Sequence, residues 1–188
     1  MFWLILGVLI WTVIHLFPSV MMAKRKELMD SFGNKYRGIY AGVIVFSVIL
    51  MVIGWRSSSP DTLYNAPAWG RHFNMIFMLA AIVLLSVSHG TSQLKQYVRH
   101  PMLAGVHIWA LGHLLANGEI RSVILFGGLL IWSVLSLHFI NKREGEWEKP
   151  TEISAMDSEI KQVVISLAVF AALALLHPYY TGMSLAAG

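Results

Sequence analysis

The chain has 188 residues, 56% of them hydrophobic and 13% charged, with a formal charge of +4 and no cysteine. Soluble domains average about 45–50% apolar and about 25% charged residues, so this is the composition of a membrane protein. The lack of cysteine excludes disulfides, thiolate metal ligation and a catalytic thiol, and the basic residues gather at the ends of apolar runs, which excludes a nucleic-acid surface.

A helix needs roughly 17–25 apolar residues to cross a hydrocarbon core about 30 Å thick. The first such run, residues 2–22, contains His15 and Pro18. It has neither a basic leader nor a small-residue cleavage pattern, so it is expected to be a retained span and not a signal peptide. A basic loop with Lys24, Arg25, Lys26, Lys35 and Arg37 leads to the second run, 39–55. In "YRGIY" (36–40), Arg37 and Tyr40 stand three apart and share one face at the start of that span.

The third run covers 72–88 and the fifth 122–140. Two weaker runs, about 101–117 and about 162–178, bring the expected number of spans to six. The longest polar stretch, residues 141–161, holds Pro150 and Asp157-Ser158 and is short enough to be a loop with a helical turn or two. The sequence therefore predicts an all-α, polytopic membrane helix bundle forming a single domain over 1–188. Eleven of the fourteen Lys and Arg residues lie in the odd-numbered loops, while the second and fourth hold Arg56, Arg71 and Arg121. The positive-inside bias then puts both termini on the outer, periplasmic face.

Eight histidines are present. His72, His89, His100 and His138 sit at span boundaries, where an imidazole meets water or headgroups. His15, His107, His113 and His177 lie deeper, and an ionisable group held in a bilayer needs a partner to offset its desolvation. A neutral histidine bonded to a neighbouring helix and a metal or haem ligand both meet that need. His107 and His113 are six apart and point about 120° away from each other, so they cannot chelate one ion together. Haem draws its axial ligands from facing helices and needs small flanking residues, which Gly105, Ala110 and Gly112 supply, with Trp109 one turn from His113. Counting residues from the span ends places His15 and His107 near one depth, with His113 about 10 Å further out.

Four stretches together resemble the NnrU family of bacterial membrane proteins and its relative, zeta-carotene isomerase. They are "HLFPS" (15–19), "FGNKYRGIYAGV" (32–43), "PAWGRH" (67–72) and, most specific, "RHPMLAGVHIWALGHLLANGE" (99–119). The resemblance covers about residues 1–145. It implies a multi-span protein of the bacterial inner membrane holding a non-covalent haem b, with iron ligands falling on His15 and His113; the depth count instead favours His107, which stays the alternative. Arg37 is then placed to meet a haem propionate. A cysteine that the isomerase carries three residues before its second histidine falls on Ala110, so thiolate switching is not carried over.

The function so implied is linked to denitrification and nitric-oxide metabolism, as a redox-active, isomerase-like or electron-transfer protein. Its partners would be the lipid bilayer and a hydrophobic small molecule or redox protein, and its catalytic residues are not assigned. Two alternatives stay open at this level. "RHPMLAG" also resembles a stretch of S-adenosylmethionine-dependent membrane methyltransferases, with Glu144 and Glu146 as the paired acids. A non-catalytic membrane assembly factor would use its histidines only to hold helices together.

Overall fold

The computed structural model describes residues 1–152 and 154–182. Its elements are α1 (Phe2–Val20), α2 (Met22–Phe32), α3 (Lys35–Arg56), α4 (Gly70–Val87), a 3-10 turn (Gln93–Gln96), α5 (Pro101–Ala116), α6 (Ile120–Glu144) and α7 (Met156–Thr181). Among the described residues the extended pairing is a single bridge, Thr62 to Glu119. Helices α1, α3, α4, α6 and α7 are long and apolar enough to cross a bilayer, and α5 is a shorter apolar helix of 16 residues.

Each expected span coincides with one of these six helices, but several ends differ. Helix α3 starts at Lys35 and α7 at Met156, before their apolar runs begin, because a polar residue ends a hydropathy run without ending a helix. Asp157 and Glu159 occupy the first turn of α7, where the helix dipole favours negative charge. Helix α2 was not expected. Its segment "MAKRKELMDSF" is rich in strong helix formers, and Lys24 pairs with Glu27 at 2.7 Å on a helix with no buried residue.

Packing follows the logic of a bilayer, in which lipid is as apolar as leucine and helices associate through close approach of small residues. Ser47, Ser122, Ser133 and Ser136 are buried, whereas Phe46, Ile76 and Val134 are exposed. Ser47 and Ser133 satisfy themselves locally, donating to the Ile44 and Leu130 carbonyls at 2.7 and 2.8 Å. Helix α1 packs on α3 and α6, α5 packs on α4 and α6, and α7 packs on α4, so α6 lies between α1 and α5. At Gly7 a β-carbon would stand 2.8 Å from both Met51 N and Ser47 O, so α1 and α3 touch backbone to backbone.

Two motifs of the sequence meet where α1 crosses α3. Pro18 lacks an N–H and leaves the Ile14 carbonyl without its helical donor. Tyr40 of α3 donates its phenol proton to that carbonyl at 3.1 Å. At one end of the bundle, residues 57–69 dock on the α5–α6 turn. Leu63 and Tyr64 donate backbone N–H groups to the Gly118 carbonyl at 2.7 and 3.1 Å, and the Tyr64 hydroxyl bonds the carbonyls of Leu114 and Asn117. At the other end, Arg99 donates to the Gly145 carbonyl at 2.9 Å and His100 Nε2 to Asn141 Oδ1 at 2.9 Å.

Candidate functional site

An apolar cavity of about 460 Å³ opens between α3, α4, α5, α6 and α7, within the size range of small-molecule sites. Its walls are mostly aliphatic and aromatic, and a few polar side chains converge on it: Arg56 from α3, Asn74 from α4, His113 from α5, and His177 and Thr181 from α7. Asn74 is 9% exposed, and its Oδ1 is buried without a donor among the described residues. That oxygen faces Gly112, where a β-carbon would stand 2.5 Å away, so glycine is what lets α5 lie against the amide.

Helix α6 enters the site in a distorted form. Residues Val123–Gly127 make one π turn, a feature frequent at functional sites, and it rotates side chains off the α-helical register. Within that turn Phe126 stacks on His113, ring centroids 4.3 Å apart and planes 19° apart, and meets Trp109 edge-on at 4.9 Å. His113 is thus held between its own helix and α6 with little freedom to rotate.

The deep histidines share one tautomer. Nδ1–H of His113 donates to the Trp109 carbonyl at 2.9 Å, and Nδ1–H of His15 donates to the Trp11 carbonyl at 2.8 Å. Nδ1 of His107 lies 3.3 Å from Ser133 Oγ, and Nδ1 of His177 lies 3.2 Å from Thr181 Oγ1. Both hydroxyls give their own proton to a backbone carbonyl, so each must accept from the imidazole. In all four rings the Nε2 atom therefore carries the lone pair.

Location separates them. His113 and His177 line the cavity; His15 and His107 do not. His15 is packed among Trp11, Trp132 and Tyr40, at ring centroid distances of 4.0, 5.2 and 6.5 Å. Trp132 and Ser133, which mark the depths of His15 and His107 on α6, lie six and seven residues beyond Phe126, which marks His113. At about 1.5 Å per residue that is a displacement of roughly 10 Å, the ordering that residue counting gives. His15 and His113 therefore meet α6 at different heights. Arg37 is exposed in the first turn of α3, nineteen residues from the cavity's Arg56 and so roughly 28 Å along the helix.

Among the described residues no three His, Cys, Asp or Glu side chains gather where a bare metal ion could sit. A haem iron needs fewer, since its macrocycle supplies four nitrogens and the protein only the axial ligands. The donor set of the cavity suits that group: imidazole nitrogens in the metal-binding tautomer, aromatic walls, and one arginine. Sequence reasoning picked out His113 and missed Asn74 and Arg56 as parts of one site. The signal for Asn74 was present, an amide inside the apolar run "NMIFMLAAIVLL".

Comparison with known protein families finds that residues 3–185 match the model described as NnrU protein, a match that runs past residue 145 and through α7. Among curated proteins and solved structures none matches the chain.

Proposed function

This chain belongs to the NnrU family of membrane proteins, and we propose that it is a haem-b protein of a bacterial inner membrane, with the cofactor held non-covalently at His113. The observation carrying this reading is that His113 keeps its Nδ1 proton on the Trp109 carbonyl while its ring forms part of the cavity wall. Metal-bound histidines commonly donate their other ring N–H to a carbonyl in this way, which fixes the ring and raises the basicity of Nε2. Trp109 and Phe126 offer flat apolar surface to a macrocycle, and Arg56 is the cavity's cation for a propionate.

Bound haem would supply one-electron chemistry, in keeping with a role in denitrification and nitric-oxide metabolism. The chain's own contribution is to orient the imidazole, to exclude water with aliphatic walls, and to set the iron's potential through ligand and burial. The cavity's walls are mostly aliphatic and aromatic and belong to apolar helices, which suits an apolar small molecule or a redox partner in the bilayer. Arg99 and His100, the residues resembling a methyltransferase segment, are engaged with the end of α6, which gives that segment a structural role.

The test is the visible spectrum of detergent-purified wild-type protein from haem-replete cells. A Soret band from a pigment that acid extracts intact is the expected result. Colourless protein overturns the proposal: S-adenosylmethionine binding by that protein would then favour the methyltransferase, and its absence the assembly factor.

A further inference from the structure

Helix α7 lies beyond the part of the chain that carries the recognisable motifs, yet it brings a histidine to the cavity. Its covered positions are Glu159, Gln162, Ser166, Phe170, Ala174, His177 and Thr181, recurring at helical spacings of three and four. The face they form is mostly polar and turned inward, while Val164, Leu175 and Leu176 are exposed. A membrane helix that hides its polar stripe orients its ionisable residue toward the protein interior. Glu159 fixes this rotation at the opposite end of α7 by accepting from Gln93 N–H at 2.8 Å and from the Ser92 hydroxyl at 3.1 Å.

His177 is specified in more than position. Thr181, one turn later, gives its hydroxyl proton to the His177 carbonyl at 2.7 Å and so receives the ring's Nδ1–H at 3.2 Å. That is the same tautomer the Trp109 carbonyl imposes on His113. Pro178, the next residue, removes the helical donor from the Ala174 carbonyl, and Ala174 also lines the cavity. Two imidazoles from different helices, both with Nε2 as the lone-pair nitrogen, border one apolar space that neither His15 nor His107 lines.

We propose that His177, not His15, is the second protein ligand at this site, so that haem iron held in the cavity is coordinated by imidazoles from α5 and α7. The inference rests on the haem reading above. Coordination here is donation of the Nε2 lone pair to iron; no proton leaves, because Nδ1–H stays on Thr181. The arrangement also ties α7, which packs on α4, to α5 through the cofactor.

The experiment compares ferric spectra and electron paramagnetic resonance of purified holoprotein for wild type, His177→Ala and His15→Ala. Wild type is expected to be low-spin. His177→Ala should become high-spin with haem still bound and return to low-spin on adding imidazole, while His15→Ala stays low-spin. If His177→Ala does not accumulate, His177→Met serves instead and should show the charge-transfer band of a thioether on ferric haem. A low-spin spectrum indifferent to residue 177, or one lost with His15→Ala, overturns the His177 assignment and leaves the haem reading intact. Wild-type protein without a Soret band overturns both.

Discussion

Tyr40 and Pro18 show how one side chain can answer for another at a distance in sequence. The carbonyl that Pro18 orphans is the one Tyr40 reaches, and both residues belong to stretches, "HLFPS" and "YRGIY", that the sequence singled out separately. Hydrogen bonds between membrane helices are worth about 0.6 kcal/mol on average and up to about 1.7 kcal/mol. Tyr40→Phe should cost about 1 kcal/mol in wild type and close to nothing in Pro18→Ala, where residue 18 regains the N–H that bonds Ile14. Unfolding free energies in mixed detergent measure the cycle, and equal costs in both backgrounds would break the pairing. At Gly112, alanine would place its β-carbon 2.5 Å from Asn74 Oδ1 and 3.0 Å from Phe77 Cβ. We expect Gly112→Ala to cost about 1–3 kcal/mol and Asn74→Ala to recover part of that loss, read from thermal melting of the double variant. Gly112 could be read from the sequence as a small surface beside His113, but its partner could not, since Asn74 lies on another helix.

Among the elements, the segment 57–69 was a gap between spans in the sequence and is a docked loop in the structure. Its anchor is Tyr64, whose hydroxyl reaches carbonyls at the end of α5. Burial pushes the Tyr64 phenol above its ordinary value of 10.0. A raised value in the folded state means that folding favours the protonated phenol, so this anchor is whole below pH 10 and is lost as pH rises past it. A phenolate could not donate to the carbonyls it bonds. Limited proteolysis within 57–69 should therefore accelerate above about pH 10, and Tyr64→Phe should cleave readily at every pH. Protection that stays constant across that range would contradict the anchoring role. The π turn of α6 and the inward stripe of α7 were equally invisible. A π turn leaves no mark on hydropathy, and α7 begins six residues before its apolar run, so Glu159, the first residue of its inward face, falls in the expected loop.

For the whole molecule, what was legible was the set of apolar runs, because a bilayer demands them, and the relative depths of the histidines, because a helix rises evenly along its axis. The cavity was not legible, since five helices contribute to it and no periodicity within one helix encodes which neighbours it meets. Orientation rests on the charge asymmetry of the loops. A reporter that works only in the periplasm, fused at the C-terminus, should be active, and one that works only in the cytoplasm should be silent; the reverse would invert the bundle. The central claim is that His113 is the residue in its helix that holds haem, and it is tested most directly by the haem content of His113→Ala beside His107→Ala. The structure puts His113 on the cavity wall and His107 against Ser133 of α6. His107→Ala should retain haem at the wild-type ratio with an unchanged low-spin spectrum, and His113→Ala should lose the pigment or convert it to high spin. Loss of haem in His107→Ala with full retention in His113→Ala would contradict the account.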